Sequence, residues 1–454
     1  MASADLQGEQ RLTPKGRATR ERIVKAAAEL ILTGGLSAFN MDNVRKAALV
    51  SGSQLAHYFT DKQALIRAIL TRQINVVLDF HRQPELHALE SLADFERWID
   101  LNMQYLRRIG YRGTPTYHAL AGQLAKSDAT TRETLGAGYL QWVALLEEAV
   151  QRMKDRGVLV ADADPRQLAL VIVTAHQGGG TMTFTYRQEW PHADAVRFAV
   201  NYLRMFAADP AERTARPPRR PGPASTAVNG VVADDPTARF TRKGMATRAR
   251  IVDVAATLMF EHGVAGTSID ELRSTASVSG SQIAHYFQDK RDLTRQVIAG
   301  RRNDVIVFHA QPQLGAFDSL EALQAWADAC TADVNAVYRQ GGCIYGSLAG
   351  ELLEADDEVL DDLAAGYDQW VEMFRAGLTA MRERGDLRPG SDPRHLAVAL
   401  VAAHQGSAMV TYATDSAEPL RVAVNAAVEY VRSFAAPSKR RRSRTTSRRR
   451  PSSG

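Results

Sequence analysis

Apolar residues at Ile23, Ala26, Ala27, Leu30 and Ile31 recur at i, i+3/4, i+7 and i+8, one stripe at the helical period. The spacing predicts a helix from Arg17 that stops at Gly34-Gly35, where glycine suits the left-handed residue that ends a helix. Met41, Val44 and Ala48 continue the period in a short second helix, with Asn40 placed to cap it. After a three-residue break, Ser51 precedes a third short helix running through Tyr58, with Leu55 and Phe59 as its inward positions. The same pattern returns later in the chain. Ile251, Val254, Ala255, Leu258 and Met259 form the stripe and Gly263 the stop. Ser268 is the cap before Ile269, Leu272 and Ala276, and Ser279 caps a third helix through Tyr286.

The recurrence is a duplication. Residues 50–59 read VSGSQLAHYF and residues 278–287 read VSGSQIAHYF, nine of ten identical at an offset of 228. Across 13–65 against 241–293 there are 28 identities in 53 positions. The offset holds further on, pairing His81 with His309, Trp98 with Trp326 and Trp142 with Trp370. It also pairs His176-Gln177-Gly178 with His404-Gln405-Gly406. A period this long lies far outside the ~20–50 residues of solenoid repeats. The chain is therefore expected to be one unit of two domains written twice.

Two short helices joined by a tight turn, backed by a longer helix, make a helix-turn-helix. The outward residues of the third helix are then Gly52, Ser53, Gln54, His57 and Tyr58, repeated as Gly280, Ser281, Gln282, His285 and Tyr286. Gln can pair with both hydrogen-bonding groups of an adenine edge, Ser with either base edge, and His and Tyr with phosphates. Glycine at the helix start lets backbone approach a duplex closely. Ser51 and Ser279 belong to the same surface. A merely solvated face gives little reason for this stretch to match while neighbours such as Lys46/Ser274 and Leu49/Ser277 differ.

The pattern TRERIVKAAAEL, NMDNV and VSGSQLAHYFTDKQAL resembles the DNA-binding region of the TetR family of bacterial transcriptional regulators, and both copies carry it. The resemblance covers roughly 17–207 and 245–435. It implies an all-α fold, a tandem duplication of a helix-turn-helix domain plus a helical ligand-binding and dimerisation domain. It implies phosphate contacts from Asn40, Tyr58 and Lys62 in the first copy, and from Thr267, Ser268, Tyr286 and Lys290 in the second. Three positions depart from the family habit: Ala56/Ala284 replace a usual tyrosine, Leu49/Ser277 a usual turn glycine, and Phe39 the threonine kept as Thr267. The last implies a first copy with weaker phosphate contacts.

The expected layout is a flexible 1–12, reading domains at 13–65 and 241–293, helical bodies at 66–208 and 294–436, a linker at 209–240 and a basic disordered tail at 437–454. A flexible linker of this length reaches about 30 Å. In the bodies, Tyr117, His118, Gln123 and Tyr345 are the polar candidates for an effector cavity of the kind the resemblance implies. His176, Gln177, Gly178, His404, Gln405 and Gly406 are the candidates for the contact through which the copies pair, since small residues inside a helix admit a close neighbour.

Charge and cysteine refine this picture. The net charge is +5, but the tail from Lys439 to Arg450 holds eight basic side chains, leaving the remainder at about −3. Sequence-specific affinity must therefore come from local patches, while the tail could hold phosphate backbone without reading it. Cys330 and Cys343 read as buried small apolar residues in a reducing cytosol rather than as a disulfide framework. No leader or membrane span is read from the sequence. No catalytic set, metal-ligand spacing or cofactor loop is recognisable, so no enzyme, metal or cofactor is expected. The expected function is a ligand-responsive repressor, cytoplasmic and on the nucleoid when bound, pairing its copies on a near-palindromic double-stranded operator. The competing reading is a non-specific nucleoid binder or scaffold relying on the tail.

Overall fold

The computed structural model describes residues 12–112, 116–218 and 240–437. Both copies run through the same order of helices. The first has α1 (Pro14–Ala38), α2 (Met41–Ala47), α3 (Gly52–Tyr58), α4 (Lys62–His81), α5 (Leu92–Arg108), α6 (Tyr117–Leu124), α7 (Ala129–Asp155), α8 (Pro165–Tyr186) and α9 (Trp190–Arg204). The second has α10 (Arg242–Gly266), α11 (Ile269–Ala276), α12 (Gly280–Tyr286), α13 (Lys290–His309), α14 (Leu320–Ala332), α15 (Gly346–Glu351), α16 (Asp357–Arg384), α17 (Pro393–Thr414) and α18 (Glu418–Arg432). The fold is all-α. Its β pairing among the described residues is one isolated bridge per copy, Leu159 with Ala207 and Leu387 with Ala435.

Local chemistry sets the helix ends. Thr13 and Thr241 accept from Gly16 N and Gly244 N, so each first helix begins a turn earlier than the apolar stripe predicts. Gly35 (φ 70°) and Gly263 (φ 79°) break these helices where expected, and a final turn continues to Ala38 and Gly266. Ile23, Ala27, Val44, Leu55 and Phe59 close the first head's core, and Ile251, Ala255, Leu272, Ile283 and Phe287 the second's.

A buried histidine explains both matched tryptophans in the first body and one of the two in the second, where the indole N–H of Trp326 is buried without a partner. His81 Nδ1 lies 2.7 Å from the Val77 carbonyl, leaving Nε2 to accept from Trp98 (3.0 Å) and Trp142 (3.3 Å). His309 does the same with Val305 O and Trp370. Burial lowers both imidazoles to a pKa of about 4, which keeps Nε2 an acceptor.

The copies pack on each other through α8, α9, α17 and α18, flanked by α7 and α16. The crossing point is Gly178 on Gly406. A Cβ on Gly178 would stand 1.9 Å from the Ala402 carbonyl oxygen, and one on Gly406 1.8 Å from that of Thr174. These are the same pair of positions read from either copy. Gly122 and Gly350 repeat the close approach between α6 and α15. Helix α17 is long and apolar enough to span a bilayer, yet its apolar window is wholly buried within the protein.

The linker begins later than expected. Residues 209–218 dock on the first body: Arg204 donates to Glu212, Arg213 Nε to the Ala207 carbonyl, and Arg216 N to Asn201 Oδ1. Residues 1–11, the rest of the linker (219–239) and the tail from 438 lie outside the described residues.

Candidate DNA-reading site

Each third helix starts with a reciprocal cap. Ser51 Oγ accepts from Gln54 N (3.1 Å) while Gln54 Oε1 accepts from Ser51 N (2.9 Å), and Ser279 and Gln282 repeat both bonds. The side-chain oxygen of Gln54 and of Gln282 is thus occupied. This corrects the expectation of a free amide: adenine pairing requires the capping bond to open, or uses the amide nitrogen alone. Ser53 and Ser281 are tied to the cap hydroxyls at 2.9 and 2.8 Å. A Cβ on Gly52 would meet nothing within 4 Å, so its lack of a side chain answers to no internal packing.

Asn40 and Ser268 cap the second helices and stand in solvent. His57 and His285 are exposed, with Tyr58 and Tyr286 half-buried beside them at ring distances of 5.0 and 4.9 Å. Thr267 does not join them. It is 3% exposed and donates to the Gly263 carbonyl, and its counterpart Phe39 is equally buried. The residue before an N-cap packs inward here, so Thr267 is withdrawn as a phosphate ligand, and with it the expected weakness of the first copy. Phe39 acts on Lys62 instead, whose Nζ lies 5.3 Å over the ring. Lys290 has threonine there and is more buried, which lowers its pKa.

Two features went unnoticed in the sequence. Arg20 and Arg248 lie over Phe59 and Phe287 at 5.1 and 5.4 Å, an equivalent pair found by the 228 offset. Phe240 packs on His285 and Tyr286 at 5.6 and 5.1 Å, whereas the first copy has Leu12 at that position. The turn residues Leu49 and Ser277 hold φ of 52° and 51°, the left-handed conformation that glycine adopts freely. Leu49 is 86% exposed.

The body candidates need more revision. Tyr117 and Tyr345 donate to the Leu135 and Leu363 carbonyls (2.7 and 2.6 Å), so their hydroxyls brace α7 and α16. His118 is buried with neither ring nitrogen bonded, stacked 5.5 Å from Phe184 and edge-on to His176 at 5.0 Å. His192 joins this group, 4.4 Å from His176 and also without a partner at either nitrogen. Burial lowers His118 and His192 to about 4 and 3. Gln123 Oε1 is buried and unbonded. A surface cleft of about 550 Å³ between α4 and α7, lined by Gln141, Glu148 and Arg152 among others, contains none of these candidates.

Of the six pairing candidates, only the glycines cross to the other copy. His176 bonds Asn102, Gln177 bonds Tyr139, His404 bonds Tyr338 and Gln405 bonds the Gly346 carbonyl, all within their own bodies. Gly179 and Gly180 likewise make room within the first copy, for Ala195 and for the His118 ring. In the second copy position 118 becomes Gly346 and position 180 becomes Ala408, a matched exchange of size.

Head and body meet at the glycine breaks. Glu354 accepts from Leu36 N (2.7 Å) beside Gly35, and Glu351 from Val264 N (2.6 Å) beside Gly263. Both carboxylates come from the end of α15 and the turn that follows it in the second copy. Lys126 of the first copy pairs with Glu351 at 3.0 Å.

Residues 23–69 and 251–297 each match the profile of bacterial regulatory proteins of the tetR family, and 319–427 that of the tetracyclin repressor-like C-terminal domain. The chain is similar to the HTH-type transcriptional repressor KstR2 of Rhodococcus jostii (strain RHA1), 25% identical over 93 residues. That match spans 20% of this chain and 43% of the relative's length. Among solved structures, the regulatory protein TetR from Rhodobacter sphaeroides is 19% identical, with 40% of this chain and 98% of that one covered at a TM-score of 0.38. A TetR transcriptional regulator from Chloroflexus aurantiacus J-10-FL is 24% identical, covering 43% and 98% at 0.38. With two separate reading-domain matches, each falling on a helix-turn-helix, the chain belongs to the TetR family and is a DNA-binding transcriptional regulator carrying two fused units.

Proposed function

We propose that this regulator is a ligand-responsive repressor that works as a single-chain pseudo-dimer on a near-palindromic operator. The observation that carries the reading is the pair of identically capped helices, α3 and α12, presenting the same Gly-Ser-Gln, Ala-His-Tyr surface from two copies that cross at Gly178 and Gly406. Helix-turn-helix dimers place two such helices in successive major grooves. Here the fusion holds the second head at high effective concentration once the first has bound. Ser53, Gln54, Ser281 and Gln282 face the base edges, with the cap opening to free the amide. Asn40, Ser51, His57, Tyr58 and Lys62, and Ser268, Ser279, His285, Tyr286 and Lys290, hold the phosphates. The protein acts in the cytoplasm, on the nucleoid when bound.

An effector acts in the bodies and changes the separation of the heads through the turn bearing Glu351 and Glu354. The unbonded imidazoles of His118 and His192, each with one N–H and one acceptor nitrogen, favour a first-copy site for a ligand carrying both hydrogen-bond acceptors and donors. Ligand affinity must differ between the two head spacings for release to follow. Selection of the full chain on random duplex DNA at near-physiological salt, with and without 438–454, tests the reading. One enriched near-palindrome from both proteins is expected. Enrichment that vanishes with the tail would leave a non-specific electrostatic binder instead.

A further inference from the structure

We infer that the interface charges specify pairing between unlike copies and oppose pairing of one second copy with another. The two copies bring equivalent helices to the crossing, so a second chain offers equivalent surfaces, and what discriminates is which side chains meet across it. Three positions decide this.

Lys126 and Glu351 form an ion pair between copies at 3.0 Å, both side chains under a tenth exposed. Lys126 also reaches the Met259 carbonyl (3.4 Å) and the Phe260 ring (5.2 Å). By the 228 offset, position 126 is Glu354 in the second copy and position 351 is Gln123 in the first. Two second copies would set Glu354 against Glu351. Burial raises the Glu351 carboxyl and Lys126 opposes that rise, so a carboxylate in the lysine's place removes what keeps the charge. Two first copies would set Lys126 against Gln123, with no like charges meeting.

Arg187 of the first copy bonds Asp357 (2.7 Å) and Asp361 of the second. The equivalent of Arg187 is Asp415, and the equivalents of the two aspartates are Ala129 and Glu133. Second-copy pairing would therefore bring Asp415, with its own Arg339 at 2.9 Å, to Asp357 and Asp361 in place of the arginine, a weaker discrimination at an exposed rim. Finally, Asp194 is fully buried and accepts from Arg394 (2.7 Å) and His395 (2.9 Å) of the other copy. Its equivalent is Val422, so a second-copy pair deprives Arg394 of this acid. The contact of Arg394 with Trp190 works the other way: the equivalent of Trp190 is Glu418, so a second-copy pair would offer Arg394 this carboxylate, as Arg166 has now, and the discrimination falls to the carboxylates that meet.

Like-charge juxtaposition in a desolvated contact is how an interface rejects a wrong partner. No assembly of this chain then sets one second-copy head beside another. The inference rests on the pseudo-dimer reading, and the test separates the two. A protease site is inserted between Ala224 and Ser225 of the full chain. The folded protein is cut, unfolded in denaturant, refolded, and its pairs are weighed by native mass spectrometry. Unlike pairs are expected, with no second-copy pairs. A random share of second-copy pairs overturns the inference alone, whereas halves that never associate count against the pseudo-dimer itself. The variant E351Q/E354K/D415R gives the second copy the first copy's side chains, and second-copy pairs should then appear; unchanged pairing would overturn the role of charge. In the intact chain, K126E should lower the melting temperature further than K126Q, which removes the same contacts without adding a like charge, and equal losses would also contradict the inference.

Discussion

Between the two heads, the third-helix residues facing solvent are the same, whereas between the two bodies even residues without exposure differ. His118 lies opposite Gly346 and His192 opposite Leu420, so the first body encloses four histidines, with His81 and His176, where the second encloses three, His309, His404 and, against Asp194 of the first copy, His395. An unchanged surface over a changed interior means the heads share one task while the bodies do not. The first interior holds two imidazoles without partners, His118 and His192, at positions where the second has Gly346 and Leu420.

Acidification should expose that division most strongly. His81, His118 and His309 are lowered to about 4, His192 and His404 to about 3, and His176 well below its ordinary value, in each case chiefly by burial. Above the ordinary histidine value of about 6.5 both folded and unfolded chains are neutral there, and nothing is lost. As pH falls below it the unfolded chain binds protons that the native state refuses, until the native values near 4 and 3 are reached. Each histidine then removes roughly 1.4 kcal/mol per pH unit. Thermal melts followed between these limits should show the first body failing first. Replacing His192 with Leu, the second copy's residue, should flatten the loss by one histidine's share; an unchanged slope would count against the buried cluster.

Gly178→Ala and Gly406→Ala should each destabilise by about 2–3 kcal/mol, the range of an overpacked core. The effects should be equal, because the two positions meet at one crossing. A melt in which only one of them matters would show that the crossing is not shared.

The heads should respond alike as well. Tyr58→Phe with Lys62→Ala, and Tyr286→Phe with Lys290→Ala, should each weaken operator binding. The lost lysine charge should reduce the slope of log affinity against log salt by about 1, whereas the tyrosine hydroxyl should lower affinity without changing it. Phe240→Leu, which gives the second head the first head's residue, should produce a smaller loss at one half-site only. Titrations at several salt concentrations distinguish these.

The smallest effect is expected at the turns. Leu49→Gly relieves a left-handed residue and an exposed side chain and should stabilise the first head by about 1 kcal/mol. Ser277→Gly should do the same for the second. Denaturant midpoints report both.

The heads were legible because their determinants are local. Asn40, Ser51, Ser268 and Ser279 cap within three residues, and Gly35 and Gly263 break within one turn. Thr267 was misread because adjacent hydroxyls look equivalent in sequence, while only the second, Ser268, occupies the cap and the first packs inward. The glycine triplet was half-read. Gly178 answers to the other copy, but Gly179 and Gly180 answer to Ala195 and His118, partners that spacing along one helix does not reveal. The Lys126–Glu351 pair joins residues far apart in the chain. Its one sequence signal was the change from Gln123 and Lys126 to Glu351 and Glu354 under the repeat offset.

The central claim is that one chain supplies both heads to one operator. It is tested most directly by weighing the complex of the protein with its selected near-palindrome. One chain of 49.8 kDa per duplex is the predicted result, and two chains on a single near-palindrome would contradict it.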